Sequence, residues 1–515
     1  MELERLIAAL ADPTLYPGAP EVTVCQTHAS VVFLAGDRAY KLKKPVDFGF
    51  LDYSTLARRR AMCRREVALN RRLAPEIYLG VLPVVERAGK VAVGGSGTVI
   101  DWLVEMRRLP DERSLASLVR HRSVGDPDIR AIARRLAAFH AAAETGPGIS
   151  RYGSPTTIRR NIRENEVQIA PYVGIALSAA AYQEIVVAGR RMLRERRNDV
   201  LARLVAGWVR DGHGDLRCDH VYLLPEIQVV DCIEFNRRFR YADQAADLAF
   251  LAMDLEASGR PDLAAVLVDE YQAVSGDDLG AVLPLYVSYR ACVRGKVATL
   301  RSDEPELAAA DRAGALVEAA RYFALARRTG RGDCAPRLIV VCGLTGSGKS
   351  VLASALADAI GAQVFEADQM RKRLAGLDPA AHRDDALDTG LYDTSMNERV
   401  YRALLDAADG EIAAGRPVIL DATYRRRADR QAVAALAGRS GAQAVFVECV
   451  VDEATALARI GRRRADPTRT SDSRSEIYFA QRASFEPLDE APARLHLDAT
   501  QPLDRQLVAV IEATG

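Results

Sequence analysis

The chain has 515 residues, enough for two to four domains. It is 49% hydrophobic and 27% charged, with 70 Lys+Arg against 69 Asp+Glu, so no global basic field points to nucleic acid. Eight cysteines without a C-x-x-C pair give neither a zinc site nor a disulfide framework, which suits a reducing cytosol. No apolar run reaches the roughly 20 residues of a membrane span, and the acidic, amphipathic start at Met1–Arg5 is not a secretory signal. In chain order, Val22–Val24, Val31–Leu34 and Arg38–Leu42 are predicted strands, the last two joined at Gly36-Asp37. A helix is expected over Arg58–Leu73. A hairpin follows, with arms Val81–Glu86 and Val99–Met106 around Gly94–Gly97. From about Leu115 to Ala326 the pattern is helical, apart from a β-like stretch at His213–Asp231. Residues 329–336 form a linker. Strand and helix then alternate (Leu338–Val341, Gln363–Glu366, Val418–Leu420, Ala444–Val450, Arg494–Leu497), the pattern of a doubly wound parallel sheet.

Gly343-Leu344-Thr345-Gly346-Ser347-Gly348-Lys349-Ser350 fits G-x-x-x-x-G-K-[ST] without mismatch, between a strand and a helix. Its backbone N–H groups, with Gly343, Thr345, Gly346, Ser347 and Gly348, suit phosphate oxygens. Lys349 would reach the β- and γ-phosphates and Ser350 would hold Mg²⁺, so this part of the chain is expected to bind a nucleoside triphosphate. Val418–Asp421 ends at the Walker-B position, and Asp421 would hold the same Mg²⁺. Val364–Asp368 reads as a strand ending in Asp368, which could take the proton of an attacking hydroxyl or merely cap the next helix. Arg371, one turn on, could clamp an anion. Arg459, Arg462, Arg463 and Arg464, before the polar stretch 465–475, resemble a lid whose arginines close on the transferring phosphoryl group, although such a run is commonly a solvated face.

These strings resemble P-loop kinases of the zeta-toxin, polynucleotide-kinase and gluconate-kinase type, from Pro336 onward. The resemblance implies Asp368 as base, Arg371 on the substrate, and a small hydroxyl compound as acceptor.

A second string, His213-Gly214-Asp215-Leu216-Arg217-Cys218-Asp219-His220, follows the kinase catalytic loop H-R-D-L-x-x-x-N, with His220 replacing the asparagine. Asp231 ends an apolar strand eleven residues beyond. Ala39-Tyr40-Lys41 has the form of the strand lysine, and Glu66, an acid on an apolar helix face, needs a buried partner that Lys41 could supply. Lys43 shares the face of Lys41, and Lys44 does not. The arginines from 58 to 72 read as a solvated face or, less simply, a site for an anion. His121, His140, Trp102 and Trp208 read as packing residues.

The set resembles the aminoglycoside phosphotransferase and choline-kinase branch of the protein-kinase-like fold, over about Val22–Ala326. That resemblance implies Asp215 as base, Asp231 and His220 at the metal, Lys41 and Glu66 at the nucleotide, and structural roles for Asp243 and Asp247. Two departures stand out: the loop Gln26–Ser30 has no glycine, and His220 is a poorer Mg²⁺ ligand than an oxygen donor.

Together the parts resemble fusions described as bifunctional aminoglycoside phosphotransferase and ATP-binding proteins. The expected protein is a multidomain cytoplasmic kinase. Residues 1–328 form an α+β protein-kinase-like domain (lobes about 20–110 and 111–328), 329–336 a linker, and 337–515 an α/β P-loop domain. It would use ATP and Mg²⁺ on small hydroxyl-bearing metabolites such as a sugar or nucleoside. The alternative is a single P-loop kinase regulated by a ligand-binding N-terminal domain. A nucleic-acid end kinase and a toxin remain further readings, the former disfavoured by the balanced charge.

Overall fold

The computed structural model describes residues 2–378, 393–464, 475–489 and 493–515. The polar stretch 465–474, and with it the expected lid, lies outside the described residues, as do the side chains of Arg463 and Arg464. The chain forms two compact units. One comprises 1–158, 196–251 and 266–283; the other comprises 159–195, 252–265 and 284–515.

The first unit is built on a six-stranded sheet, ordered β1-β2-β3-β6-β4-β5 and antiparallel throughout. Its strands are β1 (Val22–Gln26), β2 (Ser30–Ala35), β3 (Arg38–Lys43), β4 (Tyr78–Arg87), β5 (Lys90–Val93) and β6 (Thr98–Arg107). Period-two alternation splits the sheet into two faces. Val31, Phe33, Tyr40, Leu42 and Leu103 pack with Leu6 and Leu10 on one face. Lys41 and Lys43 therefore point to the other, where the helix Leu56–Asn70 packs Cys63 and Val67 against Val104. That helix starts where Thr55 Oγ1 accepts the Arg58 N–H at 3.2 Å. Arginines on this helix and just after it are engaged by protein groups. Arg59 bonds Asp101 at 2.9 Å, Arg71 the Tyr78 carbonyl at 2.9 Å, and Arg72 the Asp211 carbonyl at 2.8 Å. Short ladders continue the unit: β7 (Val209–Asp211) pairs with β10 (Tyr241–Asp243), and β8 (Val221–Tyr222) with β9 (Gln228–Val229).

The second unit holds a five-stranded, wholly parallel sheet, ordered β12-β13-β11-β14-β15. The strands are β11 (Arg337–Cys342), β12 (Gln363–Glu366), β13 (Val418–Asp421), β14 (Gln443–Val450) and β15 (Arg494–Asp498). β11 is buried along its whole length, as its continuous apolar run requires of a strand covered on both faces. The helices Thr394–Ala413 and Arg427–Arg439 cover one face. Lys349–Ile360, Leu503–Thr514 and Ala320 and Ala324 of the helix Ala309–Arg331 cover the other. Because β12 and β14 lie on opposite sides of β11, the loop after β11 opens at a topological switch point, where open α/β sheets bind ligands.

Candidate functional sites

In the second unit the loop after β11 is held in a shape only glycine allows. Gly346 has φ +81°, and a Cβ there would lie 2.7 Å from the Ala456 carbonyl oxygen. At Gly343 it would lie 2.6 Å from the Cys449 carbonyl oxygen. Lys349 Nζ donates to the Leu344 carbonyl at 3.0 Å, so its ammonium is folded over the loop. Ser347 Oγ is buried in the loop with no hydrogen-bond partner. Ser350 is exposed on the first turn of Lys349–Ile360. Asp421 is buried at the end of β13, in register with Val341 on one side and Glu366 on the other. The open glycine cradle and the orphaned Ser347 hydroxyl fit a polyphosphate. The oxygen donors Ser350 and Asp421 suit a hard ion such as Mg²⁺ that takes its remaining ligands from phosphate and water.

Two expectations need correction here. Asp368 does not end a strand: β12 stops at Glu366, which takes the cap position, and Asp368 sits in the first turn of Ala367–Leu374. Helix geometry brings Arg371 one turn below it, and the two pair at 2.7 Å, with Arg371 also donating to Asn397 Oδ1 at 3.0 Å. The arginines at the end of Glu453–Arg464 also divide. Arg459 donates to the carbonyls of Ser347 (3.1 Å) and Ala499 (2.8 Å), so it braces the loop from the protein side, whereas Arg462 is exposed. Sequence reasoning missed Glu366, whose carboxyl is pushed up by burial and then by Asp421. Gln481 was missed too; its Oε1 accepts the Thr345 N–H at 2.9 Å. Neither carries a local signal, since both are placed by strand register or by a helix over 130 residues away.

In the first unit the expected groups converge. Lys41 Nζ lies 2.9 Å from Glu66 Oε1 and 2.7 Å from Asp231 Oδ1. Glu66, fully buried, also bonds Lys43 through its other oxygen at 2.5 Å. Burial opposes the Glu66 charge, but Lys41 and Lys43 outweigh it and hold the carboxyl below its usual range. Asp231 has φ +64°, a conformation a non-glycine residue keeps only where its surroundings impose it. Burial also opposes its charge, yet Lys41 and His220 keep the carboxyl well below the ordinary value.

His220 sits between the two acids. Its Nδ1 bonds the Asp215 backbone carbonyl at 2.8 Å and its Nε2 meets the Arg217 guanidinium at 2.9 Å, while the carboxylates of Asp215 and Asp231 lie 3.6 and 3.7 Å away. Arg217 reaches Asp215 at 3.2 Å. Asp247 organises the loop from below, accepting the N–H groups of His213 (2.5 Å) and Gly214 (2.8 Å) and contacting His140 at 3.4 Å. Asp243 pairs with Arg203 at 2.7 Å. Both aspartates thus support the loop. His213 is buried against the Val230 carbonyl, and burial pushes its imidazole down to about 4. The residues not foreseen are Glu234 and Tyr53, which complete the surroundings of Lys43. Lys43 is buried and paired with Glu234, and both meet the Tyr53 hydroxyl, so two lysines share Glu66 and each has an acid of its own.

Residues 338–488 match the AAA_33 family, described as an AAA domain. The chain is 35% identical over 471 residues to the "Uncharacterized protein Rv2004c" of Mycobacterium tuberculosis (strain ATCC 25618 / H37Rv), covering 90% of this chain and 89% of that one. "Uncharacterized protein Mb2027c" of Mycobacterium bovis matches equally. A choline/ethanolamine kinase family protein from Mesorhizobium loti aligns with 63% of this chain and 98% of its own, at 15% identity and a TM-score of 0.36. A gluconokinase from Sinorhizobium meliloti 1021 aligns with 34% of this chain and 91% of its own, at 20% identity and a TM-score of 0.25.

Proposed function

The chain belongs to one family with the mycobacterial proteins Rv2004c and Mb2027c, and we propose that it is a tandem kinase with two sites for ATP and Mg²⁺. The observation that carries this reading is the convergence in the first unit. Lys41 meets Glu66 and Asp231, and His220 stands between Asp231 and the Asp215 backbone carbonyl, although 190 positions separate Lys41 from Asp231. A phosphate loop alone would require one site; this second assembly calls for another. We assign the N-terminal kinase-like domain to residues 1–328 and the P-loop domain to 337–515, in a cytoplasmic protein.

Bound MgATP would supply the electrophilic γ-phosphoryl group at each site. In the first unit Lys41 would orient the phosphates, Asp231 would hold the ion, and Asp215 would accept the proton of the acceptor hydroxyl. Arg217, 3.2 Å from the Asp215 carboxylate, keeps it oriented. In the second unit the loop amides and Lys349 would bind the phosphates, and Ser350 and Asp421 the ion. Asp368 would take the acceptor proton, with Arg371 fixing its carboxylate. The acceptor is a small hydroxyl-bearing metabolite.

A second reading keeps catalysis in the P-loop unit and gives the first unit a ligand-binding role. The direct Lys41–Asp231 pair favours it, since each group there satisfies the charge that phosphate and Mg²⁺ would otherwise meet. ATP consumption against sugars, nucleosides, nucleotide-sugars and aminoglycosides, with Asp215→Ala and Lys349→Ala in parallel, separates the two. The tandem reading expects each variant to lose a distinct part of the acceptor-dependent turnover. An unchanged Asp215→Ala, with turnover abolished in Lys349→Ala, would leave only the second.

A further inference from the structure

The second unit contains a small, partly open cleft, about 70 Å³ in volume, at the end of the parallel sheet opposite the phosphate loop. Pro336 and Arg337 at the start of β11, and Pro417 just before β13, form its floor; the helix Ala309–Arg331 forms a wall. Three arginines and one glutamate line it, and their bonding is unequal. Arg337 is satisfied, by Asp333 at 2.6 Å and by the carbonyls of Thr514 (2.6 Å) and Ala335 (3.1 Å). Arg321 donates at 3.3 Å to the Ala359 carbonyl and lies 4.8 Å from the Tyr322 ring centroid, and its Nε is buried without a hydrogen-bond partner. Arg328 has a buried, unpartnered Nε, and no hydrogen bond or ion pair within 4 Å is found for its guanidinium among the described residues. Among the described residues, none is found to hydrogen-bond the carboxylate of Glu256, on the facing segment of the cleft.

A partly buried guanidinium keeps five donors in a rigid fork, and leaving them unmet is costly. Burial, and then Arg337, pull Arg328 below the ordinary arginine value, while burial pushes the Glu256 carboxyl up. Two opposite charges that face one cleft without touching leave room for a group between them. Planar, bidentate donors match a carboxylate or phosphate, and a lone carboxylate matches a hydroxyl. We propose that this cleft binds a small molecule presenting an oxyanion, carboxylate or phosphate, to Arg328 and Arg321, and a hydroxyl to Glu256. The site is separate from the phosphate loop and independent of which unit catalyses.

The test uses the full chain carrying Lys349→Ala, without Mg²⁺, so that the phosphate loop does not dominate the signal. Glycerate, glycerol 3-phosphate and inorganic phosphate are titrated calorimetrically, which separates carboxylate from phosphate recognition and reveals the contribution of the hydroxyl. Saturable binding of glycerate or glycerol 3-phosphate is expected, weakened about tenfold or more by Arg328→Met and partly restored by Arg328→Lys. Without ligand, Arg328→Met should melt no lower than its parent, because it removes a charge that has no partner to lose. No saturable binding of any probe, or affinity unchanged in Arg328→Met, overturns the proposal. So does a lowered melting temperature in that variant, which would make Arg328 half of a water-bridged structural pair.

Discussion

Replacing Glu66 by Gln tests the assembly in the first unit. Glu66 has no exposed surface and pairs with two lysines, at 2.9 Å to Lys41 and 2.5 Å to Lys43. Glutamine keeps the shape and one acceptor but withdraws the charge, leaving four groups (Lys41, Lys43, Asp231, Glu234) to balance two against two through single contacts. Each lysine keeps one acid, so the loss is that of a charge-assisted hydrogen bond, roughly 1.5–3 kcal/mol. For a unit of this size each kcal/mol moves the midpoint by about 2–4 °C, so the unfolding transition of the first unit should fall by roughly 3–12 °C. Differential scanning calorimetry of the full chain resolves this, because a change confined to one unit splits or shifts one transition. The exposed pair Arg482–Glu453 is the control, and Glu453→Gln should change stability by less than about 1 kcal/mol. A Glu66→Gln chain that melts within a degree of the parent would refute the reasoning, since the two lysines would then not depend on Glu66 for their burial.

His213, with its imidazole at about 4 in the folded chain and near 6.5 unfolded, takes up a proton on unfolding between those values. The neutral buried form therefore stabilises fully above about pH 6.5 and loses up to about 3 kcal/mol as pH falls toward 4. Denaturant midpoints of His213→Gln should show a flatter slope over that window, and an unchanged slope would assign it to other groups. Gly346→Ala places a Cβ 2.7 Å from the Ala456 carbonyl at φ +81°, so nucleotide affinity at the second unit should fall by at least tenfold in equilibrium dialysis while the first unit's melting is unaffected. Retained affinity there would mean the loop has another binding shape.

The parallel sheet was legible because its central strands are uninterrupted apolar runs and its phosphate loop is a contiguous string. Order and spacing in the sequence grouped Lys41, Glu66, Asp215 and Asp231, and in the structure Lys41 lies 2.9 Å from Glu66 and 2.7 Å from Asp231. What escaped was set by pairing across the fold. Period two puts Lys41 and Lys43 on one face, but nothing local says that Glu66 serves both, or that Glu234 and Tyr53 complete the second pair. Asp368 was read as strand because the apolar run continues through Phe365, whereas the helix begins immediately after Glu366. Arg459 was read with its neighbours as part of a lid; only the packing of Glu453–Arg464 against the loop turns it inward.

The central claim is two nucleotide sites, and stoichiometry tests it without knowing the acceptor. Isothermal titration of the full chain with a nonhydrolysable ATP analogue and Mg²⁺ should give two equivalents per chain. One should remain in Lys349→Ala and one in Lys41→Met. A single equivalent in the parent chain, abolished by Lys349→Ala, would contradict the account and leave the first unit without a nucleotide.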